Sequence, residues 1–401
     1  MRLIAAAAFV LALALLRTTA GAQGEDLLFD AVSDPAIGYS TAPRHDRVAE
    51  LSRRLAAGTA NLTYEAGSGY LRSLLATLKV PIESQMAVFS KTSLQAAIIA
   101  PANPRTIFFT DDVAVAWPRG GFIEIAAQDP QQGVHFYILE QRAAAAPQIV
   151  QPNPGVCLNC HLAYATQGVP GLLVKSVATD AAGRPQPQIA NYLTDDRSPL
   201  DERWAGWYVT GGDATAKHLG HALDSLAEAF DSKGYLSAYS DVAALLVFDH
   251  QARLINLLTR AGWDARLAPA AQRDAIVRHD ASDLVDALLF VDEAPLPAGV
   301  GSRGAFARTF ASRGPADSKG RSLRQMDLRT RLMRYPCSYM IYAPAFDALP
   351  DTVRTATYQR LWEVLSGADQ DRRYARLAAA DRRAIVEILR ETKPGLPAYF
   401  K

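Results

Sequence analysis

The segment that most constrains the fold of this chain is Cys157-Leu158-Asn159-Cys160-His161, a C-x-x-C-H pattern. Two thiols at this spacing can add to the two vinyl groups on one edge of a porphyrin, and the adjacent imidazole can then bind the iron. We therefore predict one covalent haem c, held by Cys157 and Cys160, with His161 as the proximal ligand. The pattern occurs only once, so a second haem is not expected.

The same residues could instead form a disulfide or a thioredoxin-like redox pair. A thioredoxin-type pair lies between a strand and a helix of a βαβ unit, whereas Pro152-Asn153-Pro154-Gly155 precedes this motif. The chain has 3 cysteines, too few for a scaffold held together by disulfides. The third, Cys337, is expected to be a small buried side chain, because free cysteine is among the most buried residue types.

A turn sequence downstream of the motif could orient the imidazole of His161. Ligating imidazoles usually donate their second N–H to a carbonyl or a carboxylate. Gly168-Val169-Pro170-Gly171 follows the motif closely. This segment either supplies such a carbonyl or is an ordinary turn.

Four residues are candidates for the sixth iron ligand, in the order His218, His250, His221 and Met86, and an open position is the remaining possibility. His218 and His221 lie some tens of residues after His161, where small c-type cytochromes generally place this ligand. His250 falls on the apolar face of a predicted helix, where a hydrogen-bonded core residue is the commoner outcome. Met86 would give a His/Met iron with a raised potential.

The amino-terminal residues have the pattern of an export signal. A positive start at Met1-Arg2 precedes an apolar run from Leu3 to Leu16 and the small-residue site Ala20-Gly21-Ala22. We expect cleavage after Ala22 and a periplasmic location, which agrees with attachment of this haem outside the cytoplasm. The apolar run is too short to span a membrane, and we expect no transmembrane segment in the mature chain.

The charge balance of the mature chain limits its partners. Removing Arg2 and Arg17 with the signal leaves 42 − 2 = 40 basic residues against 41 acidic ones. A near-neutral chain is not typical of nucleic-acid binding, so we expect no nucleic-acid partner. A haem protein of this kind is instead expected to meet a redox partner protein.

Hydrophobic patterning predicts an α+β fold, with an antiparallel β-meander before the haem motif and a mostly helical C-terminal half. Short helices are predicted over residues 44–57 and 70–79. Ser240 is predicted to cap a long helix over Asp241–Arg260. The meander is predicted from four β-branched and aromatic runs separated by turn residues, Arg105–Phe109, Val113–Trp117, Phe122–Ala127 and Val134–Glu140.

Five ranges are predicted along the chain. They are a signal peptide over 1–22, an N-terminal α+β domain with the meander over 23–142, a linker over 143–155, the haem attachment region over 156–235 and a helical region over 236–401.

Long blocks of this sequence resemble a family of large exported bacterial monohaem proteins, described as cytochrome c domain-containing. The blocks cover nearly the whole mature chain and include SQMAVFSKTSLQ, NPRTIFFTDDVAVAWPRGGFIEIAAQDP, CLNCH, GVPGLLVKSV, SPLDERWAGWYVTG, KHLG, SDVAALLVFDHQ, RYPCSYMIYAPAFDALP and ETKPGLPAY. The resemblance implies haem binding and an exported location, but no substrate.

One segment departs from that family. Gly212-Asp213-Ala214 stands where Thr-His-Gly is expected in relatives, and His221 stands where Asn is more usual. The family therefore implies no ligand at Asp213 and a weaker case for His221.

Three functions are compatible with these features. The favoured one is electron transfer through a covalently attached haem. The alternatives are a haem-dependent oxidoreductase or peroxidase-like enzyme with an open or displaceable sixth site, and a haem-based sensor or binding protein. A haem pocket could be built from residues 151–250, which leaves most of the chain without an assigned role.

Overall fold

The computed structural model describes residues 31–143, 146–212, 217–296 and 300–400. They form an α+β fold, with an eight-stranded, mostly antiparallel sheet in the N-terminal part and a mostly helical C-terminal half. The fold class predicted from the sequence is confirmed. The predicted signal peptide, residues 144–145 of the predicted linker and the variable position Asp213 lie outside the described residues.

The large sheet has the strand order β10-β9-β1-β2-β3-β4-β5-β6. Its neighbours are antiparallel except β9 and β10, which are parallel. Strands β7 and β8 form a separate antiparallel pair. The strands are β1 Met86–Val88, β2 Arg105–Phe109, β3 Val113–Pro118, β4 Ile123–Asp129, β5 Gly133–Leu139, β6 Ile149–Val150, β7 Val174–Val177, β8 Asn191–Thr194, β9 Trp207–Thr210 and β10 His221–Leu223.

Strands β2 to β5 are the predicted meander, and consecutive strands pair in chain order. Strands β9 and β10 come from the predicted haem region, yet they complete this sheet beside β1. Strand β6 comes from the predicted linker, so the sheet joins three of the ranges predicted from the sequence.

Of the helices that lie wholly within the described residues, two precede the motif, one contains it and six follow it. They are α1 Arg47–Ala56, α2 Leu71–Thr77, α3 Pro154–His161, α4 Val242–Leu267, α5 Arg273–Leu288, α6 Phe306–Ser312, α7 Pro344–Asp347, α8 Asp351–Ser366 and α9 Ala379–Thr392. No helix in the described part of the chain combines the length and the apolar character needed to cross a bilayer.

The long helix begins one residue later than predicted and ends later. Asp241 is its N-cap, and its carboxylate accepts a hydrogen bond from the Ala243 backbone N–H at 2.9 Å. Ser240 is not the cap because its hydroxyl is held by the sheet: it donates to the carbonyl of Tyr208 at 2.6 Å and accepts from the N–H of Ala87 at 2.9 Å.

The two faces of the large sheet pack against different partners. The outer face, which carries Val115, Ile125 and Tyr137, is buried with residues of α1 and α2. The inner face, which carries Met86, Phe109 and Phe136, packs against the helical half. Helix α4 crosses this face, with the ring of Phe248 5.0 Å from that of Phe109.

One large core contains inner-face residues of the sheet together with residues from the helices that follow. Cys337 belongs to this core and is fully buried as a free thiol, which confirms the sequence prediction. Burial raises the pKa of its thiol to about 12, so it is protonated at neutral pH.

Candidate functional site

Helix α3 presents the cysteines and the histidine of the motif on one face. Pro154 occupies the first turn, and the side chain of Asn153 accepts a hydrogen bond from the Gly155 N–H at 3.0 Å. Proline and an asparagine cap are typical of a helix start. Cys157, Cys160 and His161 then stand at positions i, i+3 and i+4, which share a helix face.

Both thiols of the motif are free. Cys157 is partly buried and Cys160 is exposed. Burial, together with the charges of Glu124 and Cys160, raises the pKa of Cys157 to about 11. At neutral pH Cys157 is therefore a protonated thiol that solvent still reaches.

The imidazole of His161 is oriented by the loop that the sequence singled out. Its Nδ1 lies 2.9 Å from the carbonyl oxygen of Gly171. Because a carbonyl oxygen only accepts, Nδ1 carries the proton and the lone pair of Nε2 is left for a metal. The Gly171 N–H donates in turn to the carbonyl of His161 at 2.9 Å, so the two residues are joined twice. Of the two alternatives left open for Gly168–Gly171, the structure shows the first: the segment supplies the carbonyl that orients His161.

Glycine is required at position 171 by its close approach to helix α4. A Cβ at this position would lie 2.1 Å from Oδ1 of Asn256. That oxygen accepts from the N–H of Leu172 at 2.9 Å, and the Asn256 amide donates to the Leu172 carbonyl at 2.7 Å. The carbonyl that orients His161 is therefore fixed to α4, the longest helix in the described residues.

The surroundings of His161 favour its neutral form. Burial lowers the pKa of the imidazole most; the hydrogen bond to Gly171 opposes this, Arg105 lowers the pKa further and Glu124 raises it. A neutral imidazole is the form that binds metals.

An apolar patch on the inner face of the sheet adjoins the motif. The ring centroid of Phe136 lies 4.6 Å from that of His161. Phe136 and its neighbours Ala116, Ala126 and Ile138 are partly exposed, whereas most of the inner face is buried. We call these four residues the apolar patch.

Large apolar side chains of the motif segment are also exposed. The exposed fraction is 45% for Val156 and 87% for Tyr164. Uncovered apolar surface of this kind beside reactive groups is typical of a surface that receives another apolar group.

Three polar residues border the apolar patch and were not found from the sequence. Glu124 stands opposite Ile138 in the sheet, and its carboxylate accepts from Arg105 Nη1 at 2.8 Å and from Gln95 Nε2 at 3.0 Å. The sequence indicates these residues only weakly: Arg105 and Glu124 are charged residues within otherwise apolar strands, where side chains alternate between the two faces. Gln95 also lines a groove of about 400 Å³ between the 94–98 loop and the β3–β4 turn.

His250 is engaged on both sides of its ring. Its Nδ1 lies 2.8 Å from Asp196 Oδ2, and its Nε2 lies 2.7 Å from Ser338 Oγ. The ring is fully buried and stacks on Phe290 at 4.1 Å. In this arrangement neither nitrogen is free to bind iron.

The order of acid, imidazole and hydroxyl in Asp196, His250 and Ser338 is also that of a serine hydrolase triad. Ser338 is fully buried, however, and its Oγ accepts from the Met340 N–H at 3.2 Å at the start of a 3₁₀ turn. A substrate does not reach this hydroxyl, so the chain of hydrogen bonds is structural.

His218 contacts a different part of the molecule from His161. Its ring lies edge-on to Trp204, 5.4 Å between centroids, near strand β9. The sheet order separates β9 from β5, which contacts His161, by five strand spacings, about 24 Å. Burial lowers the pKa of His218, and the backbone of Gly220 opposes this.

His221 and Met86 are likewise not beside His161. His221 pairs with Tyr208 and contacts its ring. This contact places His221 on the outer face of the sheet, whereas Phe136 is on the inner face. Met86 is fully buried in the core on β1, four strand spacings, about 19 Å, from β5. None of the four candidate sixth ligands contacts His161, and the identity of that ligand stays a prediction.

The described residues fit a covalently attached haem. Free thiols, an imidazole with an available Nε2 and an apolar patch lie together, and Nε of Arg105 is buried without a hydrogen-bond partner in the described structure. Such an unpaired donor suits an acceptor from outside the protein, as the carboxylates of a haem would supply. No family model, curated protein or solved structure matches this chain. The family resemblance therefore stays a prediction.

Proposed function

We propose that this protein is an exported monohaem c-type cytochrome that transfers electrons. Cys157 and Cys160 would hold the haem and His161 would be its proximal ligand. The observation that carries the proposal is the hydrogen bond from His161 Nδ1 to Gly171, which leaves Nε2 available beside two free thiols. The haem would supply a one-electron couple whose potential depends on axial ligands, burial and nearby charge.

The protein's location and partner follow from the same chemistry. Haem attachment of this type agrees with removal of residues 1–22 and a periplasmic location. A carrier of single electrons requires a donor and an acceptor, so we expect a redox partner protein. The near-neutral charge balance favours neither nucleic acid nor an anionic membrane surface as that partner.

A second candidate function is favoured by one observation. His218, His221, His250 and Met86 all contact groups other than His161. An iron whose sixth position is open binds small ligands, as a peroxidase-like enzyme or a haem-based sensor does. Electron transfer remains the first proposal because it needs no substrate site.

Haem attachment is tested by mass spectrometry on the full-length chain, produced in a bacterium with haem-attachment machinery. We expect the mature protein to carry the mass of one haem after denaturation. The double variant Cys157→Ser with Cys160→Ser should lose this mass. Cys337→Ser removes the remaining thiol and should keep it. Attachment that survives in the double variant would contradict the proposal.

The two functions are separated by the absorption spectrum of the reduced protein. A low-spin spectrum that carbon monoxide leaves unchanged would support the electron carrier. A high-spin spectrum that shifts with carbon monoxide would reject the simple carrier and support the open site.

A further inference from the structure

We propose that the Arg105–Glu124 ion pair, held by Gln95, is the charged group that sets the reduction potential of the iron bound at His161. This inference rests on the proposed function, since it requires an attached haem. It assigns a role to residues outside the motif and outside the predicted ligands.

The position of the pair on the sheet brings it to the border of the apolar patch. Glu124 and Ala126 alternate along β4 and so point to the same face. Ala126 stands opposite Phe136, whose ring lies 4.6 Å from His161. Diagonal neighbours on one face of an antiparallel pair are about 7–8 Å apart, which places the Glu124 backbone that close to Phe136. The two alanines of the patch are partly exposed on this same face of the sheet.

The pair is partly withdrawn from water. The side chains of Arg105 and Glu124 are 17% and 18% exposed, and their N–O distance is 2.8 Å. Charges screened less by solvent act more strongly on a neighbouring charge.

Gln95 fixes the orientation of the carboxylate. Its amide N–H groups donate to Glu124 Oε1 and to the Phe122 carbonyl, both at 3.0 Å, and its oxygen accepts from the Phe122 N–H at 2.9 Å. Gly121 makes this arrangement possible, because a Cβ there would lie 2.1 Å from the Gln95 oxygen. Each oxygen of the Glu124 carboxylate thus accepts one hydrogen bond. The carboxylate cannot rotate away from the apolar patch without breaking one of these two hydrogen bonds.

The sign of each effect follows from charge alone. The iron carries one more positive charge when it is oxidised, so a nearby carboxylate stabilises the oxidised form and lowers the potential. A nearby guanidinium stabilises the reduced form relative to the oxidised one and raises the potential. The two members of the pair therefore oppose each other.

The test is the midpoint potential of the haem-loaded protein and its variants. Glu124→Gln, which keeps an acceptor for Gln95, should shift the potential upward, and Arg105→Gln should shift it downward. Arg105→Lys keeps the charge, so its potential should lie above that of Arg105→Gln. The matched control is the Arg331–Asp381 pair in the C-terminal half, whose side chains are 28% and 20% exposed. Asp381→Asn and Arg331→Gln make the same charge changes and should shift the potential less.

Shifts of opposite sign, both larger than those of the control variants, support the proposal. Shifts no larger than the controls, or of the same sign, overturn it. If Glu124→Gln does not fold or does not bind haem, the midpoint potentials of Arg105→Gln and Arg105→Lys are compared instead. Equal potentials in these two variants would reject the role of the ion pair. Absence of haem from the parent protein would instead reject the proposed function, so the two failures are distinguishable.

Discussion

Glu293 is a buried carboxyl group in the segment that follows α5. It is 7% exposed, and its Oε1 accepts from the Leu332 N–H at 2.8 Å. Its pKa is raised to about 7: burial is the main cause, the hydrogen bond from Leu332 opposes it, the charge of Asp196 adds to it and that of Arg376 lowers the pKa. The folded chain therefore binds this proton more tightly than the unfolded chain does.

The tighter binding makes stability depend on pH in a defined direction. The contribution of Glu293 is complete below its unfolded pKa, near 4.5, and is lost as the pH rises to about 7. Glu293→Gln keeps an acceptor for Leu332 but cannot ionise. Between these pH values we expect the parent to lose at most on the order of 3 kcal/mol of unfolding free energy relative to the variant, measured by urea denaturation. Glu83→Gln, at an exposed site, should track the parent. Parallel curves for the parent and Glu293→Gln would disprove the assignment.

For single residues, the sequence predicts functional groups that lie close together along the chain, but not groups that meet only across neighbouring strands. Cys157, Cys160 and His161 are identified by spacing along one helix, and the carbonyl of Gly171 lies only ten residues past the histidine. Arg105 and Glu124 meet only through the register of three strands, which alternation along one strand does not specify.

Helix α4 is held to two distant segments by His250. The ring nitrogens contact Asp196 and Ser338, and the ring stacks on Phe290. Burial would raise the pKa of Asp196, but His250, together with Arg253 and another nearby arginine, lowers it to about 2. The carboxylate is thus charged and buried, and depends on these partners.

Removing the imidazole should therefore destabilise the fold without changing the spectrum of the proposed haem. His250→Phe keeps an aromatic ring against Phe290 but leaves Asp196 without one partner. We expect a loss of about 3–5 kcal/mol in unfolding free energy, measured by urea denaturation. The reduced absorption spectrum should be unchanged. His279→Phe, at a histidine side chain 75% exposed, is the control. A changed spectrum in His250→Phe would restore this residue as a candidate ligand.

The sequence predicts helices and strands well where the residues that determine them are close together in the chain. The meander strands are marked by alternation and turn residues, and their observed bounds lie within two residues of the prediction. Helix α4 differs at its start because the Ser240 hydroxyl is taken by the sheet, a tertiary contact that cap preferences do not contain. The pairing of β9 with β1 is equally non-local, since over 100 residues separate them.

The whole molecule is stabilised by a core that the sheet and the helices share. Leu254 of α4 is fully buried in it. We expect Leu254→Ala to lower the unfolding free energy by about 2–5 kcal/mol. Because strands and helices contribute to the same core, both should lose stability together. Hydrogen exchange of peptides from β2–β5 and from α8 measures this.

Leu219→Ala is the control, because this leucine is 43% exposed. It should change stability by about 0.5 kcal/mol at most. Faster exchange confined to the helices in Leu254→Ala would show that the sheet is stable without them.

For the whole molecule, the sequence predicts the fold class, but not that the sheet and the helices share one core. Strand-type patterning before residue 140 and helical patterning after residue 240 suffice for an α+β prediction. The five predicted ranges follow changes in composition, which do not reveal that inner-face residues such as Phe109 pack on Phe248. Contacts between remote segments depend on the complete topology.

The double link between His161 and Gly171 has a consequence for cofactor binding. The imidazole is oriented by a hydrogen bond to a peptide group of the chain itself. If a haem is attached here, as we propose, it would meet a ring whose rotation is already restricted, so binding would not have to supply the entropy of ordering that ring. The polypeptide itself would then set the direction in which His161 presents Nε2.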